Sequence, residues 1–226
     1  MSRISTASTI AIAAFMMMPV AAHAEGSLAI FNWGDYISEE MVKKFEAKYD
    51  VKVTVDTYDS NETMLAKLKS GITGYDLAVP GDYMVEILIK EGLIEKVEPN
   101  TFENYKNLEP QWADVYWDQG RHYSVPWVWG TTSFTVSTKV YKGDVDTLGV
   151  MFNPPDELKG RINLLRDVND VINAALRYLG LPRCNENPDD LKKVQALLTE
   201  LKPSVKSFAY ESKELAESGE VDLAQI

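Results

Sequence analysis

The sequence predicts an α/β protein with parallel sheets, and three observations predict it. Short apolar or alternating runs are each followed by a turn and a helix start, in the order strand, helix, strand, helix, strand, helix between Leu28 and Gly92. That order implies a parallel sheet joined by right-handed crossovers. The composition then changes. An aromatic-rich connection from Pro99 to Gln119 leads to an extended stretch at Tyr123–Val136, and strand and helix signals resume at Ile162. The extended stretch reads as the crossing from a first α/β lobe, 25–135, to a second, 136–226, within a length that suits one large or two small domains.

Each element has a local reason. Leu28 to Phe31 is an apolar run that reads as the first strand. Ser38 can cap the helix after it, with Glu39 and Glu40 at its positive end and Met41, Val42, Phe45 and Tyr49 at helical spacing. Val51, Val53 and Val55 alternate as a strand. Asn61 is expected to cap a second helix with Met64, Leu65 and Leu68 on one face, ended by Gly71 and Gly74. Asp76–Pro80 reads as a buried strand, and a third helix runs from about Tyr83 to Gly92. In the second lobe, Ile162–Leu165 is a strand and Asp167 begins a helix carrying Val171, Ile172, Ala175, Leu176 and Leu179, stopped by Gly180. Asn187-Pro188-Asp189-Asp190 is a helix start with proline at its first position. Val205–Phe208 is a candidate strand, and Gly219 to Ile226 reads as a turn followed by a strand just beginning.

Residues 1–24 have the pattern of a secretory signal peptide: Arg3, an apolar stretch from Ile10 to Met18, and Ala22-His23-Ala24 as a small-residue cleavage site. The apolar stretch is too short to remain as a membrane span, so a soluble, exported protein is expected. The chain has 23 basic and 34 acidic residues, a net charge of −11. Such acidity disfavours nucleic acid and anionic membranes and suits a cationic solute. Cys184 is the only cysteine, so no internal disulfide can form, and a packing role is expected for it. Outside the signal only His122 remains, which excludes a histidine-rich metal site and leaves little for Ser–His or Cys–His catalysis. A structural role is expected for His122, at a strand entry.

Three clusters could hold a ligand, each where a strand gives way to a helix, the usual ligand position in open α/β sheets. The first is Asn32-Trp33-Gly34-Asp35-Tyr36. It combines an indole, a carboxylate and a phenol, the groups that receive an organic cation by cation–π attraction and charge-assisted hydrogen bonds. The alternative is a Trp that fills the core and an Asp that caps a turn. The second is Pro80-Gly81-Asp82-Tyr83. The third is Asp167-Val168-Asn169-Asp170, in which two carboxylates share a helix face. Helix capping alone explains that pair; the functional reading is a pair that binds ammonium groups. Trp127 and Trp129, alternating with Tyr123, are expected to fill a core.

Together these landmarks resemble the periplasmic polyamine-binding proteins of ABC importers, which take putrescine or spermidine. The resemblance rests on Trp33-Gly34-Asp35-Tyr36, Tyr58-Asp59-Ser60-Asn61-Glu62-Thr63-Met64, Tyr75-Asp76-Leu77-Ala78-Val79-Pro80, Tyr123 to Gly130, and the acidic pair Asp167 and Asp170. It implies the type II periplasmic-binding-protein fold, two α/β lobes that close by hinge motion around the ligand. It implies a first wall of Trp33, Asp35, Tyr36 and Tyr83 and an anionic end of Asp167 and Asp170. It also implies a monomeric, non-enzymatic component with a cationic small-molecule ligand, an inner-membrane ABC permease as partner, and no cofactor or metal. Several positions depart from the family. Gly34 and Gly81 stand where a hydroxyl residue is usual, Asp170 where a longer Glu is usual, Tyr210 near a small polar position, and Asp82 is an extra carboxylate. Members of the family continue for roughly another hundred residues, so the sequence reads as the N-terminal portion, truncated before the second lobe is complete. A close alternative is the same fold binding γ-aminobutyrate or an amino acid, with Arg166 or Arg177 meeting the ligand's carboxylate. A distant one is an exported hydrolase using Asp167 and Asp170 as paired acids.

Overall fold

The computed structural model describes residues 26–71 and 74–226, so the signal-peptide reading of 1–24 lies outside the described residues. In the N-terminal half, β1 (Gly26–Trp33), α1 (Glu39–Tyr49), β2 (Val51–Tyr58), α2 (Asn61–Lys69), β3 (Leu77–Ala78) and α3 (Asp82–Lys90) alternate as their periodicity predicts. They build a parallel sheet of order β2-β1-β3. β1 pairs with β2 along its whole length, from Gly26 opposite Val51 to Trp33 opposite Tyr58. This register sets two large aromatic side chains together at the carboxyl end of the sheet, their ring centroids 4.7 Å apart.

Local chemistry fixes the boundaries. The Ser38 hydroxyl accepts the Met41 amide at 3.2 Å, as a helix cap should. For α2 the cap is Ser60, whose hydroxyl accepts the Thr63 amide. Asn61, expected as the cap, is instead the first helical residue, and its side chain is free to point elsewhere. β3 is shorter and less buried than expected. It is an edge strand, and Leu77 on its open face is 46% exposed. The apolar stripe of α1 forms at helical spacing, yet Met41, Phe45 and Tyr49 are exposed and no residue of the helix is buried. The N-terminal core is therefore small and aromatic: Phe31, Trp33, Tyr58, Met64, Met84 and Leu88.

A long connection follows, with two short 3-10 turns and α4 (Pro110–Ala113). The buried Asp118 carboxylate organises it, accepting the backbone amides of His122, Tyr123 and Ser124 and the Ser124 hydroxyl. His122 pairs through its ring with Glu98, while its carbonyl accepts the Val97 and Glu98 amides. Its role is to tie down this connection. The stretch from Tyr123 to Ser133 contains no strand, and Trp127 and Trp129 do not fill a core: Trp129 is 68% exposed. Without a neighbouring strand to fix alternation, their spacing carries no inward face.

The second sheet holds the larger core. Its elements are β4 (Phe134–Val136), α5 (Gly149–Phe152), β5 (Ile162–Leu164), α6 (Val168–Tyr178), α7 (Pro188–Leu201), β6 (Val205–Phe208), α8 (Ser212–Glu217) and β7 (Leu223–Gln225). The strand order is β4-β7-β5-β6, with β5 parallel to both neighbours and β4 antiparallel to β7. Val171, Ala175 and Leu176 of α6 and Val194 and Leu201 of α7 pack with Met151, Leu158, Ile162, Leu164 and Leu223. Asn187 caps α7 with Pro188 in its first turn. Cys184 is exposed rather than packed. It lies in the loop between α6 and α7 with a left-handed φ of 52°, and its amide donates to the Asn173 side chain at 3.1 Å.

Candidate functional site

The two sheets meet where β1, β3 and β5 end, and the three candidate turns face one another there. Trp33, the last residue of β1, is 8% exposed. Its indole packs on Tyr58, and Tyr36 and Tyr210 lie at 6.1 and 5.6 Å from it, ring centre to ring centre. Trp33 is thus both the end of the N-terminal core and the floor of an aromatic cluster. Asp35 has φ 59°, a left-handed conformation that aspartate tolerates. Its side chain is exposed at the tip of the turn. Tyr36 is 43% exposed, and its carbonyl accepts the Trp127 indole N–H at 3.1 Å.

The C-terminal half supplies the carboxylates. Asp167 is 6% exposed and caps α6: one oxygen accepts the amides of Asn169 and Asp170, at 3.0 and 3.3 Å. Its other oxygen accepts the Asn61 side-chain amide at 2.9 Å. Asn61 in turn accepts the Gly81 backbone N–H at 2.9 Å, so one buried amide ties the second turn to the third. Gly81 makes room for this, since a Cβ there would stand 3.1 Å from the Asn61 nitrogen. Beside this bridge, Arg166 pairs with Asp59 at 2.7 Å.

Asp170 is less committed. Among the described residues its carboxylate accepts one hydrogen bond, from the Thr132 hydroxyl at 3.2 Å. Burial, and then the neighbouring Asp167, hold its carboxyl above the usual range; the Thr132 bond and Arg183 partly offset this, and Asp82 adds to it. The same two aspartates act on Tyr36, whose phenol is pushed up first by burial and then by Asp170, with Asp167 a smaller contributor. Burial also pushes up the phenols of Tyr58, Tyr83 and Tyr210. All four phenols therefore stay protonated and act as neutral walls and hydrogen-bond groups. Tyr83 donates to Glu62 at 3.2 Å and feels Asp167.

The structure thus brings together Trp33, Tyr36, Tyr83, Asp167 and Asp170, with Asp35 at the rim. It adds residues not read as site residues from the sequence: Asn61, expected as a cap, Trp127, expected in a core, and Thr132 and Arg183. Tyr210, noted from the sequence only as a departure, is a wall of the cluster. The cations considered for a ligand carboxylate are poorly placed. Arg166 is held by Asp59, and Arg177 lies in the last turn of α6, at the opposite end from Asp167 and Asp170. Among the described residues no group of three His, Cys, Asp or Glu side chains could hold a metal, and no helix is long and apolar enough to cross a membrane.

Aromatic and carboxylate side chains thus gather at the carboxyl ends of strands in two α/β sheets, the position where such folds take small ligands. The chain belongs to the family described as bacterial extracellular solute-binding proteins, whose model matches residues 40–225. This is a family of transport binding proteins rather than catalysts, which removes the hydrolase alternative. It is similar to the spermidine/putrescine-binding periplasmic protein of Escherichia coli K12, with 36% identity over 195 residues, 83% of this chain and 55% of that protein. It is also similar to the putrescine/cadaverine-binding protein of Pseudomonas aeruginosa, with 32% identity over 206 residues, 87% of this chain and 57% of that protein. Among solved structures, a putative spermidine/putrescine ABC transporter protein from Listeria monocytogenes superposes with a TM-score of 0.78 at 31% identity, covering 89% of this chain and 62% of that one. The Tp0655 lipoprotein of Treponema pallidum gives 0.77 at 31% identity, covering 88% and 63%. The chain spans about half the length of the curated relatives it matches.

Proposed function

We propose that the protein captures a polyamine, putrescine or spermidine, in the periplasm and delivers it to an ABC-type permease for import. Residues 25–135 and 136–226 would form the two lobes of a type II periplasmic-binding fold, exported by way of residues 1–24. The observation that carries the reading is the pairing across the cleft of an aromatic wall with an under-compensated carboxylate. Trp33, Tyr36 and Tyr83 offer flat apolar faces to a methylene chain, and Asp170 offers a charge that burial and Asp167 make unfavourable when no cation is present. An ammonium group beside Asp170 relieves that strain and gains charge-assisted hydrogen bonds. Trp33 supplies the floor, Asp35 the rim charge, and Asp167 the fixed end of the bridge that Asn61 makes between the lobes. The names of the similar proteins support the same ligand class.

Titration calorimetry of the full-length protein should give roughly micromolar or tighter binding of a polyamine. Absence of both heat and thermal shift with putrescine and spermidine would count decisively against the proposal. One observation favours a second reading, a zwitterion such as γ-aminobutyrate: Arg183 lies within electrostatic reach of Asp170 and could meet a carboxylate. Displacement of bound putrescine by γ-aminobutyrate at comparable concentrations would favour that reading.

A further inference from the structure

We propose that Tyr210 sets the length of amine the cleft accepts, closing it at Gly34 so that a diamine fits and a triamine does not. The inference rests on the polyamine reading and deepens it. The Tyr210 hydroxyl donates to the Gly34 carbonyl at 3.1 Å, and its ring lies against the Trp33 indole. The ring packs directly over the glycine: a Cβ at position 34 would stand in van der Waals contact with Tyr210 Cε1, at 3.4 Å. A hydroxymethyl or larger group would have to share that space with the ring. Tyr210 and Gly34 are therefore one packed unit that joins the two halves of the molecule.

The wall is rigid because its backbone is anchored. Tyr210 lies between β6 and α8, and its carbonyl accepts the Ser212 amide at 2.7 Å. The fully buried Asn163 of β5 donates to both the Ala209 carbonyl and the Ser212 hydroxyl, at 3.0 and 2.8 Å, gripping the chain on either side of Tyr210.

Tyr210 stands between the aromatic cluster and a cavity. On one side are Trp33 and Tyr36. On the other is a cavity of about 320 Å³ walled by Gly34, Tyr210 and Tyr58, with Thr57, Asp59, Thr63 and Glu211 around it. Asp59 is paired with Arg166, whereas Glu211 has no ion pair among the described residues. Removing the ring would open the cluster, past Tyr58, toward a cavity with a carboxylate, Glu211, for a third ammonium group.

The test is a ladder of amines, 1,3-diaminopropane, putrescine, cadaverine and spermidine, titrated calorimetrically into the full-length protein and into Tyr210→Ser and Tyr210→Phe. The natural protein should bind its best diamine at least about tenfold tighter than spermidine. Tyr210→Ser should shift that ratio at least about tenfold toward spermidine, and Tyr210→Phe, which keeps the ring, should leave it in place. A natural protein that prefers spermidine overturns the inference whatever the variants do, so the test stands even if Tyr210→Ser does not fold. Diamine binding with a ratio unmoved in a folded Tyr210→Ser overturns it while leaving the polyamine reading intact. Binding of no amine by the natural protein overturns both.

Discussion

The turn after β1 and the turn after β5 occupy the same topological position, yet they divide aromatic and charged groups in opposite ways. In the first, Trp33 is buried and Asp35 is out at the rim. In the second, the carboxylates go inward. Asp167 accepts three hydrogen bonds, from two backbone amides and Asn61, and Asp170 sits partly buried with a single hydroxyl donor to its carboxylate among the described residues. Two aspartates three residues apart are therefore not two equivalent ligand charges. One holds the fold and leaves the other as the poorly compensated charge. A site for a cation needs this asymmetry, because a carboxylate that already holds several donors gains less from an ammonium group.

The comparison can be broken at several points, the largest effect first. Trp33→Ala should cost about 3–5 kcal/mol of stability, because it removes an indole from the centre of a small core; denaturant unfolding reads this directly. Asp170→Asn should weaken polyamine binding about 100-fold, the loss of a charge-assisted bond to the ligand. The free protein should be no less stable, since the lost charge was unfavourable. The pH dependence has the same origin. With its carboxyl held above the usual range, Asp170 in the free protein takes up a proton at a pH where an ordinary aspartate would still be charged. Polyamine affinity should therefore fall as pH falls through that raised value. Stability of the free protein should shift the other way, its Asp170 contribution improving as pH falls, because the folded state binds the extra proton. Both dependences should be muted in Asp170→Asn. The smallest effect is at the structural aspartate. Asp167→Ala should cost about 2 kcal/mol, because it removes the helix cap and leaves the buried Asn61 amide without its acceptor, and Asp167→Asn clearly less, since asparagine caps almost as well. If Asp167→Asn weakened binding as much as Asp170→Asn with stability unchanged, the division of roles between the two would be wrong.

What the sequence disclosed follows the range of the interactions involved. Ser38, Asp167 and Asn187 act on amides two or three residues away, so their helix starts could be read directly. The alternation of Val51, Val53 and Val55 foretold β2, and the order of elements foretold the parallel sheet around β1. The bridge from Asn61 to Asp167 joins residues 106 apart, and the bond from Tyr210 to Gly34 joins residues 176 apart. Neither leaves a local trace, because each depends on how the two sheets sit together. Asn61 was masked further by looking like a cap. The two glycines of the site carried the only hint, an absence of side chain, and what fills the space became visible only with Asn61 and Tyr210 in position. Hydrophobic spacing failed where it lacked a partner surface, at the exposed stripe of α1 and at Trp127 and Trp129.

The most direct test of the central claim is a crystal structure of the full-length protein with putrescine bound. The account predicts one ammonium nitrogen within hydrogen-bond distance of Asp170 and the methylene chain lying against Trp33 and Tyr36. A ligand bound elsewhere, or in the cleft with Asp170 still paired to Thr132 and out of reach of both ammonium groups, would contradict it.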